Sequence, residues 1–334
     1  WANVCVASAV FKGKGLQYVF RPQVHSDQFG EASCSFIAEN AKAKLGKDAK
    51  DISVAILYED GPYGTGVAAG NEAKCKELGI KIAHKEGYAA TSTDLSALVT
   101  KLRRARPDVI LHTGYNPDIT LFLRQAKEAG LKFDALIGHG AGYGQIDKLI
   151  ETFKGDVNFF YNVDPVAAQL LDPKSLAAGM GDVTAEMVKR YKAETKVSEV
   201  PPHASMGFNQ QWIFLTDVLP RAIKKHGGFN PEALRKAALE TDIPSGGTIQ
   251  GYEVLPAGPS DVGPERAFEP CRDAICRRRN EDRMAVFAED HRSGPSIPQG
   301  PRVRALTPYV ETTSLLLSPE SGSGDAFYCL LVFS

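Results

Sequence analysis

The residues best placed to do chemistry are tyrosines, glycines and a few polar groups that directly follow apolar runs. Tyr63 stands in the loop Asp60-Gly-Pro-Tyr-Gly-Thr-Gly66, just after the run ISVAILY at 52–58. A tyrosine there offers a flat apolar face and one hydroxyl, a pairing suited to an amphipathic small molecule. Its plain alternative is a ring packed over the end of a sheet. Gly64 and Gly66 bring backbone N–H groups to a helix start, where a carboxylate could bind, or they serve only a tight turn. Thr113, Tyr115 and Asn116 close the stretch HTGYNPD; Asn116 could bond a polar ligand group but is most simply a turn residue, and Asp118 a helix cap. A third loop, Gly138-His-Gly-Ala-Gly-Tyr-Gly144, carries His139 and Tyr143, and Asp164 ends the apolar run after it.

These side chains can hold a molecule but not transform it. There is no H-E-x-x-H, no G-x-S-x-G and no Walker A, and the seven histidines are scattered without a nucleophile–base pair. One competing pattern is Gly64-Thr-Gly66-x-x-x-Gly70 with Glu86 about 20 residues on, close to a dinucleotide fingerprint. Its third spacing is wrong and a five-residue loop precedes it, so an NAD-dependent enzyme is only a remote alternative. The expectation is a binding protein, not an enzyme, with no cofactor and no metal.

Elements must bring these loops together. ISVAILY is a continuous β-branched run, the mark of a strand covered on both faces. Further strands are expected at 17–23, 80–88, 108–114, 131–140 and 156–163. Helices are expected from Asp27 to Leu45, from the 59–66 loop to Leu78, over 91–105 behind a Thr91-x-x-Asp94 capping box, from Asp118 to Ala129, and over 145–153. Strand–helix alternation of this kind predicts an α/β fold with doubly wound parallel sheets, whose ligands sit at the carboxyl ends of the strands. Those ends are EDGPYG, HTGYNPD, GHGAGYG and YNVDP. Beyond about 183 the chain reads as helical to 240, with Pro220 expected to kink or interrupt the middle helix.

The 334 residues suffice for two domains, and 43% hydrophobic with 24% charged residues is ordinary for a globular chain. A net charge of −1 gives no case for nucleic acid, and no apolar run is long enough for membrane insertion. Trp1 is not an initiator and no signal peptide follows, so a processed or truncated start is expected. The six cysteines show no metal spacing, and no disulfide can be assigned from them.

Residues 259–334 change character. All 22 lysines precede residue 237, whereas 9 of 17 arginines and 3 of 6 cysteines fall in this tail. It reads either as a basic tail, with Cys276-Arg-Arg-Arg as an anion patch, or as a segment translated out of frame. Back-translating Gly263–Ile275 and reading one nucleotide later permits Gly-Gln-Asn-Glu-Arg-Ser-Ser-Pro-Val-Val-Met-Gln, which favours the second.

GLQYVFRPQ at 15–23, YEDGPYGTG at 58–66, TDLSALVTKLRRARPDVILHTGYNPD at 93–118, LRQAKEAGLK at 123–132 and the segments 138–144 and 201–219 together carry a resemblance. The chain resembles the type I periplasmic solute-binding proteins of the branched-chain amino acid (leucine/isoleucine/valine) ABC transporters. The resemblance implies two α/β lobes closing on a ligand, with roughly the first hundred residues of the mature protein absent and the first lobe incomplete. It divides the chain into a first-lobe remnant (1–21), a second lobe (22–165), a helical return to the first lobe (166–250), and a crossing strand with the atypical tail (251–334). It puts Tyr63 and Tyr115 against the ligand, makes Gly140 and Ala141 part of the ligand loop, and brings Phe208 from the other lobe. At Gly140 the family has an acid that pairs with the ligand's ammonium. Its lack here predicts a ligand other than a standard α-amino acid, such as an aromatic or aliphatic carboxylate, unless Asp164 substitutes. The implied partners are a small-molecule ligand (amino acid or organic acid) and an ABC permease, in the periplasm; the alternative is a ligand-sensing receptor domain of the same fold.

Overall fold

The computed structural model describes residues 1, 6–10, 16–243, 247–249, 252–253 and 329–333, with only the backbone of Ala141, Ile146, Asp147, Tyr252–Glu253 and Cys329–Phe333. The remaining residues of the 251–334 tail, including Gly263–Ile275 and Cys276-Arg-Arg-Arg, lie outside the described residues.

The alternation read from the sequence is present: α1 (Ser26–Leu45), β1 (Ser53–Glu59), α2 (Pro62–Glu77), β2 (Lys81–Tyr88), α3 (Ser96–Ala105), β3 (Val109–Thr113), α4 (Asn116–Glu128), β4 (Ala135–His139), α5 (Ile146–Phe153) and β5 (Phe160–Asp164). After these come α6 (Met180–Thr195), α7 (Pro202–Ile213), α8 (Leu219–Lys225), α9 (Pro231–Leu239), the short strands β6 (Asp242–Ile243) and β7 (Tyr252–Glu253), and β8 (Cys329–Phe333). The main sheet has the order β2-β1-β3-β4-β5-β8. β1 to β5 run parallel and β8 lies antiparallel against β5.

Strand periodicity splits the core into two layers. Val54, Ile56, Val109, Leu111, Ile137 and Val163 face α1 and α2. Ala55, Leu57, Ile110, Leu136 and Phe160 face the layer built by α3, α4 and α5. Burial on both faces is what the unbroken apolar runs foretold. α1 and α2 lie unusually close because their facing positions are small. A Cβ at Gly30 would strike the Val67 carbonyl, and one at Gly70 the Asp27 carbonyl. Cys34 and Cys75, which spacing alone could not pair, join these two helices in a disulfide with 5.5 Å between their Cα atoms.

Several local expectations are corrected. Residues 17–23 form no strand; Phe20 is buried instead among Ile213, Val218, Ala222, Ala233 and Ala237 of the helical segment. An apolar alternation becomes a strand only beside a ladder partner, and none of the described strands pairs with it. The Thr91–Asp94 capping box does not form: α3 starts at Ser96, whose N–H donates to Asp94 at 2.9 Å. The irregularity expected at Pro220 is present: the regular α-helix gives way just before it. The chain absorbs the missing N–H with a π turn over Phe214–Val218 and continues as α8.

Candidate ligand-binding site

Parallel strands all present their carboxyl ends on one side, so the loops after β1, β3, β4 and β5 meet there. Tyr63 opens α2 just past β1, is only 7% exposed, and donates its hydroxyl to the His139 carbonyl at the end of β4, at 2.9 Å. Its ring stands 6.0 Å from that of Tyr115, which precedes α4 and is 44% exposed. Gly140 adopts a left-handed φ of +65°, and a Cβ on it would run into the Tyr63 hydroxyl and lie 3.8 Å from the His203 ring. Gly142 backs onto the Tyr115 backbone, and Gly138 lies under the Tyr143 ring. Three strand tips read separately in the sequence therefore converge on one wall.

The glycines have a second explanation that removes two sequence readings. Glu59, 3% exposed, turns back and accepts from the Gly61 N–H at 2.7 Å and the Gly64 N–H at 2.5 Å. The helix start already holds an anion, its own, so the expected carboxylate site at Gly64 is filled from within the chain. Gly66 and Gly70 are needed for contact with Ser26 and Asp27 of α1, not for a diphosphate. Glu86 is engaged by Lys101 at 2.7 Å and His84 at 2.9 Å. Nothing in this arrangement favours a dinucleotide.

Behind Tyr115 lies a buried polar chain whose donor directions follow from the groups themselves. Tyr88 donates to Asp118 at 2.6 Å, so the Tyr88 oxygen accepts from His112 Nε2 at 2.7 Å. His112 Nδ1 then accepts from Tyr143 at 2.5 Å, while Asp118 also takes the Tyr115 N–H at 2.9 Å. Burial, with a smaller contribution from nearby His139, lowers the His112 pKa to about 3, so the ring is neutral as this chain requires. α4 begins two residues before the start expected at Asp118, with Tyr115 in the N-cap position; Asp118 is its third residue, and its carboxylate takes the Tyr115 N–H and so anchors the Tyr115 loop. Asn116 is the first residue of α4, inside the helix and not in a turn before it.

His139 is not the solvated loop residue its surroundings suggest. It is fully buried beside Thr113 Oγ1 (2.9 Å) and the His112 carbonyl (3.2 Å), which places its proton on Nδ1. Burial takes its pKa down to about 3, the contact with the His112 carbonyl offsetting this in part. Thr113 is therefore turned into the protein interior, where it orients His139.

At the β5 end the polar groups are incompletely matched. Asn162 and Asp164 are both 0% exposed, and Asn162 Nδ2 donates to Asp164 Oδ2 at 3.3 Å. Asn162 Oδ1 and Asp164 Oδ1 have no hydrogen-bond partner. His203, from the first turn of α7, sits 3.6 Å from Asp164 Oδ2, and Gly144 borders the same oxygen from the β4 loop. Burial pushes the Asp164 carboxyl up to about 6, with His203 and Asn162 opposing. His203 was not visible to sequence reasoning, and Phe208 was chosen from that helix instead. Phe208 stacks on Trp212 at 5.7 Å, one turn further along. Of Ala141, only its backbone place in the 3₁₀ turn Gly140–Gly142 is described.

A doubly wound α/β lobe with a polar-lined wall at its strand ends has the architecture of a ligand-binding lobe. Residues 4–262 match the family model described as periplasmic binding protein, and the chain belongs to that family. It is 33% identical over 243 residues to Leu/Ile/Val-binding protein homolog 8 of Brucella abortus, covering 72% of this chain and 57% of that protein. The chain thus spans a little over half the length of the curated relatives it matches. Among solved structures, a leucine-binding protein from Thermotoga maritima aligns with a TM-score of 0.56 and 22% identity, over 74% of this chain and 63% of its own. A solute-binding protein of an ABC transporter from Rhodopseudomonas palustris, in complex with benzoate, aligns with a TM-score of 0.56 and 16% identity, over 75% and 62%. These likenesses show the type I periplasmic binding fold.

Proposed function

We propose that this chain is the ligand-capturing part of an ABC importer's solute-binding protein, working in the periplasm and passing its solute to an ABC permease. The solute is a small amino-acid-like or aromatic or aliphatic carboxylate molecule, held and released unchanged. The observation that supports this most is the meeting of Tyr63, Tyr115 and the Gly138–Gly144 loop on one wall. An exposed aromatic ring beside a buried tyrosine, with glycine backbone between, suits an amphipathic guest. The names of the relatives, for leucine, isoleucine and valine in one case and benzoate in another, point to the same size class.

Capture by two lobes requires that the second lobe gain its own contacts with the guest, so that the closed form is favoured only when the guest is present. His203, reaching the wall from α7, is the described residue best placed to register closure. Calorimetric titration with leucine and with benzoate tests the proposal. Weak, saturable binding by this chain, strengthened in the full-length protein, is expected. Absence of binding by the full-length protein to any small amino acid or organic acid would overturn it.

A further inference from the structure

We propose that the edge of the main sheet opposite the ligand wall is a docking face for a bilayer surface rich in anionic lipid, with Phe159 entering the headgroup layer. Because β1 to β5 are parallel, the strand starts and the preceding helix ends share that edge. Three observations lead there.

First, charge is sorted along the strands. The segments 42–53, 74–81, 102–109, 125–135 and 150–160, which lead from helix ends into strands, hold thirteen lysines and arginines and eight acids. The segments at the other edge, 59–65, 88–99, 113–119, 139–149 and 164–166, hold one lysine and six acids. Internal pairing does not cancel the excess. Lys42, Lys47, Lys74, Lys76 and Lys127 have carboxylate partners. The other eight cations, Arg103, Arg104 and Arg106 among them, are exposed and form no ion pair among the described residues. Only Asp51, Glu128 and Glu151 stand unpaired in the same way on the acidic side. The helix dipole accounts for part of this, since Lys44, Arg103 and Arg104 stand in last turns. Lys50, Lys81 and Lys132 lie beyond the helices they follow, where that field has faded.

Second, the backbone gives an independent sign. After α1, α2 and α4 the chain turns through Gly46, Gly79 and Gly130, with φ of +70°, +72° and +63°. After α3 and α5 a positive φ falls instead on Arg106 (+49°) and Lys154 (+51°), and Phe159, entering β5, has φ +65°. A glycine would sit at each without strain, whereas a larger side chain costs stability there. Two cations and an aromatic ring are thus kept where the backbone favours none.

Third, apolar surface lies among these cations. Phe159 is 60% exposed, and Ile150 in α5 is 47% exposed. The Leu136 N–H donates to the Phe159 carbonyl at 3.2 Å, which sets Phe159 beside the start of β4 and the connection carrying Lys132. A ring among unpaired cations is poorly matched to water and well matched to headgroups, where rings insert and long basic side chains reach phosphates. Cations spread over five connections suit a broad anionic sheet better than one compact ligand. A chain resting on lipid by this edge holds Tyr63, Tyr115 and the Gly138–Gly144 loop away from the bilayer, open to solute.

Cosedimentation of the full chain with vesicles tests the proposal. Vesicles of equal parts phosphatidylglycerol and phosphatidylcholine should bind it in low salt, and vesicles of phosphatidylcholine alone should not. Arg103→Gln, Arg104→Gln, Lys132→Gln and Lys154→Gln together should weaken binding at least about tenfold. Lys189→Gln, Arg190→Gln, Lys196→Gln and Lys224→Gln, which remove the same charge from α6, its end and α8, should change it less than about twofold. All eight positions are exposed, and melting midpoints close to the parent's verify folding. Phe159→Ser should lose at least about threefold at physiological salt, where charge alone is screened. No binding to the anionic vesicles, or equal loss in the two fourfold variants, would overturn the docking face. Phe159→Ser bound as tightly as the parent would overturn the bilayer as partner in favour of a soluble polyanion.

Discussion

Two polar clusters are buried at the same edge of the sheet, and they are built to opposite rules. From Tyr143 through His112 and Tyr88 to Asp118 and the Tyr115 N–H, the polar groups around His112 form an unbroken chain of hydrogen bonds, with Nε2 of neighbouring His139 left outside it. Around Asp164, two buried oxygens have none. A closed network rigidifies the scaffold and fixes where Tyr115 stands; an open one stores unmet binding capacity. The contrast sets a part of the wall whose polar groups are matched against a part whose polar groups are not, although both are equally buried and lie within the same fold.

The contrast can be broken most severely at His112. His112→Phe keeps the ring but strips the Tyr88 and Tyr143 hydroxyls of their partner, so chemical denaturation should show a loss of about 3 kcal/mol or more. At the open cluster the sign reverses. Asp164→Asn should stabilise the chain by up to about 3 kcal/mol at pH 8, because a carboxyl raised from its ordinary 3.8 to about 6 opposes folding once ionised. A raised acid binds more protons folded than unfolded between pH 4 and 6, so its penalty is complete above that window and gone below it. The gain from Asp164→Asn should accordingly shrink as pH falls.

Acidification sharpens the comparison. His112 and His139, held neutral with pKa values lowered to about 3, bind fewer protons folded than unfolded, so the stability they confer is complete above pH 6.5 and declines as pH falls towards 3. Asp164 works against that decline in the parent. Stability–pH curves should therefore fall more steeply for Asp164→Asn than for the parent between pH 6 and 4, and parallel curves would show that the carboxyl is not buried as described.

Smaller effects belong to the loop between the clusters. Gly140→Ala must strain a φ of +65° and displace the Tyr63 hydroxyl, at a cost of about 2 kcal/mol by thermal melting. Tyr63→Phe removes only the bond to the His139 carbonyl, about 1 kcal/mol, and leaves the ring in place.

How much of this could be read from the residues depended on the range of the interactions. β1 and β3 were legible because Val54–Leu57 and Val109–Leu111 put apolar side chains at successive positions, which burial on both faces explains. The strand expected at 17–23 was not, since its alternation is equally served by Phe20 entering a helical core. The aromatic wall was visible from loop position alone, because parallel strands must gather their ends. Glu59 as the resident anion of α2 left a signal, an acid shortly before a helix start, but its carboxylate had to be seen folding back. Asp164 could be named as an acid near the tips; that it is buried with one oxygen unmet depends on His203, far along the chain, and no periodicity records that meeting.

The central claim is that the carboxyl ends of β1, β3, β4 and β5 form the surface on which a solute sits. Backbone amide shifts of the full chain, followed while leucine and then benzoate are titrated, test it most directly. Perturbations are expected to concentrate at 59–64, 113–118, 139–145, 162–164 and His203. Perturbations at the opposite ends of the strands, around Ser53, Asp108 and Asp134, would contradict it.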